Sequence, residues 1–368
     1  MSVLPTLAAS AELLTAGAAL IDLRAPVEVA KGALPHAAVL PLMTDDERAQ
    51  IGIRFQQAGQ GAAIALGETL VAGEIRAARI RQWLAFAKAH PNAVLYCWRG
   101  GVRSAIVQQW LADAGCVLPR IAGGYRALRH IAIATLLETA THPRKVLVLG
   151  GSTGSGKTVL LRTFASSIDL EALAQHRGSA FGGRAATQPS QTTFENALAC
   201  AIQTQWHASH GATLYEDEGH LIGRSVVPPA LLQRLKNSPL VIVEVPLQHR
   251  ALHIRSEYVD QPLASLVAAG NPAPHRALAE QLATALAKVQ RRLGGLRHDL
   301  IRADLDAAFA LHERSGDDTG HSRWIEALLT NYYDPMYAYQ LGKHEGRIVM
   351  RGNSEAVRTY LTHALTGS

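Results

Sequence analysis

The stretch Lys145-Val-Leu-Val-Leu-Gly-Gly-Ser-Thr-Gly-Ser-Gly-Lys-Thr158 decides the fold of the chain around it. Its apolar first half predicts a buried strand, and Gly151-x-x-x-x-Gly156-Lys157-Thr158 matches the P-loop pattern for phosphate binding. The glycines let backbone N–H groups curl around phosphate oxygens. The helix that follows adds the positive end of its dipole. The spacing therefore predicts that a phosphate or diphosphate binds here.

Individual side chains of this loop have predicted roles. Lys157 would reach the phosphates, and the Thr158 hydroxyl would ligate Mg²⁺ if a metal is bound. In P-loop proteins an acidic residue after a neighbouring strand commonly holds that metal. The predicted strand 212–215 ends in three acidic residues, 216–218, of which Asp217 or Glu218 is the candidate. We choose Asp217, and the assignment among the three stays open. The predicted phosphate ligands are Gly151, Ser152, Thr153, Gly154, Ser155, Gly156, Lys157 and Thr158.

The length and composition bound the architecture. A chain of 368 residues is long for one domain, so two or three domains are expected. Apolar residues make up 48% of it, which is enough for each domain to bury a core. Apolar strands at 145–149, 212–215 and 240–245 alternate with helical segments, a pattern typical of a parallel sheet.

Charge and cysteine content restrict the function classes. The net charge of +6 is divided evenly between residues 1–143 and 144–368, so nucleic-acid binding must be argued from local patches. Three cysteines argue against a disulfide framework and for a reducing compartment. No signal peptide or membrane span is expected. We therefore predict a cytoplasmic protein.

The second informative element is Cys97-Trp-Arg99-Gly-Gly-Val-Arg103-Ser104, which follows the predicted strand 93–96. A cysteine that heads a loop into a helix N-terminus lies among backbone N–H donors, and two arginines add positive charge. Such surroundings favour the nucleophilic thiolate. The alternative is a small buried hydrophobic residue. We favour the reactive role for Cys97 and the buried role for Cys116 and Cys200.

Several motifs in residues 1–141 carry a family resemblance. They are Asp22-x-Arg24…Glu28, Gly32-x-x-Pro35, Cys97-x-x-Gly-x-x-Arg103 and Ile121-Ala-Gly-Gly-Tyr125. Together they resemble a rhodanese domain, a family in which the loop cysteine carries a persulfide or another chalcogen. The loop sequence Trp-Arg-Gly-Gly-Val-Arg is a variation, so thiosulfate and cyanide need not be the substrates.

Three further stretches are candidates for substrate or tRNA contact. The polar, Gly-rich loop 175–184 is long for a compact domain and is either functional or disordered. The basic cluster 288–297 is an RNA-backbone surface or a solvated helix face, and the solvated face is favoured for any single residue. The aromatic segment 331–339 either stacks on unpaired bases or packs against the P-loop domain. The candidate contacts are His176, Arg177, Arg184, Arg291, Arg292 and Arg297.

Nearly the whole chain resembles the tRNA 2-selenouridine synthase family. The stretches that carry this resemblance are 41–48, 59–67, 97–104, 176–182 and 332–337, together with the P-loop. The breaker 141–144 before the P-loop strand predicts a domain boundary near residue 142, and the last hundred residues have a helical pattern. We therefore expect an α/β protein with a rhodanese-like domain (1–141), a P-loop NTPase-like parallel-sheet domain (142–270) and a helical C-terminal region packed on the latter (271–368).

The resemblance also implies a transferase that acts on the wobble 2-thiouridine in the anticodon region of tRNA. The sulfur is first geranylated by geranyl diphosphate, and the geranyl thiolate is then replaced by selenium from selenophosphate. Cys97 would serve the selenium step as carrier or nucleophile, and Arg99, Arg103 and the loop amides would hold the anionic donor. Residues 151–158 would bind geranyl diphosphate or a nucleotide. Both donors are substrates, and no permanently bound cofactor is predicted.

Two other function classes remain open. One is a rhodanese-type sulfur-relay enzyme with an ATP-dependent P-loop domain, which would hydrolyse nucleotide and ignore selenophosphate. The other is a binding module with a nucleotide-gated switch, against which the intact Cys97 argues because binding alone needs no thiol.

Overall fold

The computed structural model of the protein describes residues 3–366 apart from 100, 180, 183–186 and 209–210. The chain forms two compact units, one of residues 1–141 with 189–208 and the other of residues 142–188 with 209–368. The segment 189–208 thus lies in the first unit, whereas the sequence placed it in a P-loop domain of residues 142–270.

The first unit is built on a five-stranded sheet in the order β1-β5-β4-β2-β3, and its strand pairs are parallel. The central strands are short and buried on both faces, as the apolar runs of the sequence require. The strands are β1 (Thr6–Leu7), β2 (Leu20–Asp22), β3 (Ala37–Val39), β4 (Val94–Tyr96) and β5 (Arg120–Ile121).

The helices of the first unit include one long helix that contributes little to the core. Only Ala63 of α2 is buried, and the backbone of Gly59 (φ 76°) kinks the helix. The helices are α1 (Pro26–Val29), α2 (Asp45–Leu70), α3 (Gly73–Ala89), α4 (Val102–Asp113), α5 (Gly124–Glu138) and, later in the chain, α8 (Gln191–His207).

Helix α8 belongs to the first unit because its polar side chains are satisfied there. The Gln203 amide donates to Thr135 Oγ1 on α5 at 2.7 Å. Asn196 donates to the Tyr125 hydroxyl at 3.0 Å and accepts from Arg129 at 3.0 Å. Since a buried amide without partners is costly, these bonds specify where α8 packs.

The second unit is built on a five-stranded sheet in the order β12-β11-β6-β8-β7, again with parallel pairs. The strands are β6 (Lys145–Gly151), β7 (Ser167–Ile168), β8 (Ala212–Glu216), β11 (Leu240–Val243) and β12 (Ile348–Gly352), with β9 (Leu221–Ile222) and β10 (Ser225–Val226) as a separate antiparallel pair. The C-terminal region is mainly helical, as expected, but it also supplies the edge strand β12.

The helices of the second unit cover the sheet and form a separate apolar core. They are α6 (Lys157–Leu161), α7 (Leu170–Ala174), α9 (Pro229–Asn237), α10 (Leu247–Arg255), α11 (Gln261–Ala268), α12 (Pro274–Ala287), α13 (Gln290–Leu293), α14 (Gly295–Ser315), α15 (His321–Leu328), α16 (Asp334–Gly342) and α17 (Ser354–Thr366). Residues 256–260 and 329–333 are π-helical.

The α/β architecture with parallel sheets agrees with the sequence prediction. Across the described ranges, no helix combines the length and apolar character that a membrane span needs.

Candidate functional site

The P-loop connects β6 to α6, and two of its glycines are required by close contacts. A Cβ on Gly151 would lie 2.6 Å from Ser155 Oγ and 2.9 Å from the Val243 carbonyl oxygen. Gly154 has a φ of 81°, and its Cβ would lie 2.8 Å from the Arg250 carbonyl oxygen. The loop therefore packs too closely on β11 and α10 to admit side chains at these positions.

Helix α10 fixes the loop from the other side. Arg250 donates to the Thr153 carbonyl at 3.2 Å and forms a bidentate pair with Asp334, with both nitrogen–oxygen distances at 2.7 Å. A ring nitrogen of His253 lies 3.0 Å from the Gly154 carbonyl oxygen. Sequence reasoning missed Arg250, because its pairing with Asp334 joins segments far apart in the chain.

Lys157 lies at the start of α6, where three carboxyl groups act on its ammonium. Burial alone would lower the pKa of Lys157, but Glu216, Glu218 and Glu171 together raise it above its ordinary value. Lys157 is therefore charged at neutral pH, as phosphate binding requires.

The same carboxyl groups form a cluster. One oxygen from each of Glu171, Glu216 and Glu218 lies within 4.8 Å of the others. Glu216 ends β8 and pairs in register with Leu149 of β6, which brings its carboxyl beside the loop. A Cβ on Gly178 would lie 2.7 Å from Glu171 Oε1 and 3.1 Å from Glu218 Oε2, so backbone packs directly against the cluster.

Burial raises the pKa values of these three carboxyl groups, and their mutual repulsion adds to the shift for Glu171 and Glu218. Burial, followed by the charge of Glu216, raises the pKa of Glu171 to about 8. Burial also raises the pKa of Glu218 to about 7 and that of Glu216 above its ordinary value. The Glu216 side chain is fully buried, and neither of its oxygens has a hydrogen-bond partner among the described residues.

This donor set fits a hard divalent cation such as Mg²⁺, which prefers carboxylate oxygens. The unpartnered Glu216 oxygens are the observation that supports the fit. Thr158, the predicted hydroxyl ligand, follows Lys157 in the first turn of α6. Asp217, our sequence choice, is exposed and outside the cluster, and Glu171 takes part although it lies 45 positions before Glu216 in the chain.

An apolar cavity opens beside the P-loop residue Thr153. Its other walls are mostly apolar or aromatic side chains, and its volume is about 20 Å³. Both π-helical segments contribute to it, the first through Tyr258 and the second through Leu329 and Tyr333. The complete lining is Thr153, Ser179, Phe181, Ile254, Tyr258, Trp324, Ile325, Leu328, Leu329 and Tyr333.

The predicted contacts in loop 175–184 have internal partners where they are described. His176 Nδ1 accepts from the Gly178 amide at 3.1 Å. Arg177 donates to the Glu257 carbonyl at 3.0 Å and lies 5.1 Å from the centre of the Tyr258 ring. Arg184 lies outside the described residues. The loop thus packs on the first π-helical segment.

The other predicted contacts are solvent-exposed or part of the core. Arg291, Arg292 and Arg297 are exposed, and none forms an ion pair with another described residue. In the aromatic segment, Tyr333 is buried in the helical core, whereas the Tyr339 side chain is 66% exposed.

The Cys97 loop of the first unit follows β4 and leads into α4. The Cys97 thiol is buried and donates to Ser104 Oγ at 3.5 Å and to the Arg99 carbonyl at 3.8 Å. Gly101 caps α4 with a φ of 77°, so the loop turns sharply around the sulfur. Cys116 and Cys200 are also free thiols, and burial raises the pKa of Cys200 to about 12.

The two arginines of this loop differ in their surroundings. Arg103 donates to both Glu28 oxygens, at 2.6 and 3.0 Å, and Arg48 lies 3.5 Å from the same carboxylate. Arg99 is exposed and has no ion-pair partner in the part of the chain that the structure describes. Arg99 is therefore the cation of this loop that is available to an anion, and Arg103 is held in place.

A buried ion pair supports the loop from behind. Arg24 donates to Asp22 with its shortest nitrogen–oxygen distance at 2.6 Å, and its guanidinium lies 3.7 Å from the centre of the Tyr125 ring. The Tyr125 amide donates to the Cys97 carbonyl at 2.8 Å. A Cβ on Gly124 would lie 2.4 Å from that carbonyl oxygen, so this position requires glycine.

Comparison with known proteins bears on both units. A family model described as the tRNA 2-selenouridine synthase AAA domain matches residues 144–367. A protein of Hahella chejuensis named tRNA 2-selenouridine synthase is 47% identical over 354 residues, which cover 96% of this chain and 93% of the relative. The chain belongs to the tRNA 2-selenouridine synthase family.

Other members of the synthase family match over similar lengths. The Cupriavidus necator protein is 47% identical, covering 95% of both chains, and the Shewanella loihica protein is 43% identical, covering 96% of this chain and 95% of its own. The solved N-terminal domain of a Clostridium difficile 630 protein described as ATP/GTP binding shares 25% identity, covers 35% of this chain and 98% of its own, and has a TM-score of 0.32.

Proposed function

We propose that the protein is a transferase that converts the wobble 2-thiouridine of tRNA to 2-selenouridine in two steps. Geranyl diphosphate first alkylates the sulfur, and selenium from selenophosphate then replaces the geranyl thiolate. Family membership supports the nucleoside and the substrate tRNA. The observation that carries the alkylation step is the apolar cavity beside Thr153, because an alkyl diphosphate needs a phosphate cradle next to an apolar wall.

In the alkylation step, the thiocarbonyl sulfur attacks C1 of the geranyl group. The carbon–oxygen bond breaks, diphosphate leaves with the electron pair, and the uridine loses its N3 proton to solvent. Lys157 and the amides of residues 151–158 stabilise the diphosphate as its charge grows. Three carboxyls next to a diphosphate would repel it, so Glu171, Glu216 and Glu218 would hold Mg²⁺, which supplies the compensating positive charge.

The cavity must widen to admit a ten-carbon chain, because its present volume suits about one water molecule. The two π-helical segments, 256–260 and 329–333, are where this change would occur. Such segments are less regular than α-helix and are frequent at functional sites. A nucleotide in the P-loop would instead need polar groups to read its base, and this wall is mostly apolar.

The selenium step takes place at the Cys97 loop of the first unit, which we propose to be rhodanese-like. The step is redox-neutral, because selenium is at the selenide level both in selenophosphate and in the product. The C2–S bond breaks, geranyl thiolate leaves with the electron pair, and hydrolysis of the Se–P bond releases phosphate. A Cys97 perselenide would require an oxidant, so Cys97 acts instead as a nucleophile. Its sulfur bonds to C2 as geranyl thiolate leaves, and the selenide released from selenophosphate then bonds to C2 and expels the Cys97 thiolate. Arg99 holds the anionic donor.

The proposal is tested by nucleoside mass spectrometry on thiolated tRNA incubated with geranyl diphosphate and selenophosphate. Cys97→Ala should accumulate the geranylated nucleoside without selenium, and Lys157→Ala should lose both products. If the wild-type protein changes no nucleoside but hydrolyses ATP, the proposal is wrong and the sulfur-relay function takes its place.

Exposed arginines supply a surface for the tRNA backbone. Arg291, Arg292 and Arg297 lie within 7 positions of the chain and are open to solvent. Each phosphate contact that releases a counterion makes affinity fall as salt rises. Replacing all three with serine should weaken tRNA binding and flatten its salt dependence, whereas the rate at saturating tRNA should stay the same.

A further inference from the structure

A large groove of the first unit lies between α2, α4 and the Cys97 loop. We call it the α2–α4 groove, and its volume is about 870 Å³. Ile51, Phe55 and Ile64 line it from α2, and Trp98, Ile106 and Trp110 line it from the loop and α4. A volume of this size with mostly apolar walls is typical of a small-molecule site.

The α2 side of the groove presents apolar side chains that the core does not use. Ile53 and Phe55 both line the groove, and their side chains are 56% and 54% exposed. Leaving such residues in contact with water is unfavourable, and contiguous exposed apolar surface on a protein usually marks a binding site. The groove is therefore an apolar surface without a partner among the described residues.

One end of the groove is cationic. Arg48, Arg99 and Arg103 line it there, and Glu28 is the acidic side chain paired with two of them. Trp98 and Arg99 directly follow Cys97 in the chain, so the cationic end adjoins the loop that holds the thiol. An apolar groove with an unpaired arginine at one end suits an apolar ligand that reacts with an anionic molecule bound at that end.

We propose that the α2–α4 groove holds the geranyl chain of the S-geranylated nucleoside during the selenium step. This inference rests on the proposed function, in which the protein must recognise the geranyl chain twice. The P-loop unit would bind it on the diphosphate, and the Cys97 unit would bind it on the nucleoside. The chain in the groove directs C2 of the nucleoside to Cys97, while Arg99 holds selenophosphate. After exchange, geranyl thiol leaves along the groove.

Two glycines on α2 provide a matched test. Gly52 lines the groove, and a Cβ there would meet no atom within 4 Å, so a larger side chain can enter the groove without displacing backbone. Gly61 is on the same helix, is equally unobstructed and does not line the groove. Gly52→Trp therefore fills the groove, and Gly61→Trp adds the same side chain elsewhere.

The experiment measures selenium exchange on two purified tRNAs with selenophosphate, one carrying S-geranyl-2-thiouridine and the other S-methyl-2-thiouridine. Wild type and Gly61→Trp should exchange selenium into the geranylated tRNA at least tenfold faster than into the methylated tRNA. Gly52→Trp should lose that preference by slowing the geranylated substrate alone. All three proteins should share one thermal midpoint.

The other outcomes contradict the inference in distinguishable ways. If Gly52→Trp keeps the preference for the geranylated substrate, the geranyl group binds elsewhere and the proposed function stands. If both substrates slow equally, the groove binds the tRNA body or a second copy of this chain. If wild-type protein exchanges neither substrate, the proposed function itself is wrong.

Discussion

Arg103 and Glu28 form one bidentate pair, in which the guanidinium donates to both carboxylate oxygens at 2.6 and 3.0 Å. Burial alone would raise the pKa of Glu28, but Arg103 holds it below its ordinary value. The sequence predicted Arg103 as an anion ligand. In the structure its charge is largely committed to Glu28, so its first role is to position the loop that begins at Cys97.

The first prediction concerns this pair. Glu28→Gln should lower the free energy of unfolding by about 2 kcal/mol, because breaking an exposed ion pair costs under about 1 kcal/mol and breaking a buried one costs about 3–5 kcal/mol. It should also slow selenium exchange, because Arg103 is no longer fixed. Arg48→Gln is the control: Arg48 is 44% exposed and 3.5 Å from Glu28, so its loss should cost under about 1 kcal/mol. Equal effects in urea denaturation would contradict the positioning role.

The second prediction separates Glu216 from Asp217. Glu216→Gln removes a buried carboxyl whose oxygens have no partner among the described residues, so it should raise the thermal midpoint in metal-free buffer. The same change should cut geranylation at least about 100-fold, which corresponds to about 2.7 kcal/mol. Asp217→Asn should change either value little, because Asp217 is exposed. The reverse ranking would restore Asp217 as the metal ligand.

The P-loop could be predicted from the sequence because phosphate binding is local. A strand, a glycine loop and a helix N-terminus must follow one another directly, and residues 145–161 do so. The acidic stretch 216–218 was found for the same reason. Which of its members faces the loop depends on the register of β8 with β6, and a sequence pattern does not give that register.

Glu171 and α8 could not be predicted because only the fold brings them to their places. Glu171 belongs to a five-residue helix without a recognisable motif and meets Glu216 through the packing of β7 on β8. Helix α8 follows the P-loop in sequence, and its assignment to the first unit depends on hydrogen bonds to Thr135 and Tyr125.

The third prediction concerns His321, which is fully buried in the second unit. Burial, and then the neighbouring His312, lowers the pKa of His321 to about 4. The folded state thus binds this proton less readily than the unfolded chain does. Above pH 6.5 the imidazole is neutral in both states and does not reduce the free energy of unfolding. As the pH falls from 6.5 towards 4, the unfolded chain takes up the proton and the folded protein loses stability.

Between pH 7.5 and pH 5, His321 should account for about 2 kcal/mol of lost stability. Urea denaturation of wild type and His321→Asn at both pH values measures this as the difference between their pH-dependent losses. Trp324 Nε1 donates to His321 Nδ1 at 3.1 Å, and asparagine keeps an acceptor for that bond. Equal losses in the two proteins would show that His321 does not titrate in this range.

The fourth prediction concerns Gly124, whose φ of 56° and close approach to the Cys97 carbonyl act together. A left-handed alanine costs about 1–2 kcal/mol, and the clash with the Cys97 carbonyl adds to this, so Gly124→Ala should lower the free energy of unfolding by roughly 3 kcal/mol. The same change should stop selenium exchange. Gly115→Ala is the control, because its φ is 82° and a Cβ there would meet no atom within 4 Å. If urea denaturation and selenium exchange showed equal effects in both variants, backbone strain alone would explain them and Gly124 would have no role in shaping the loop.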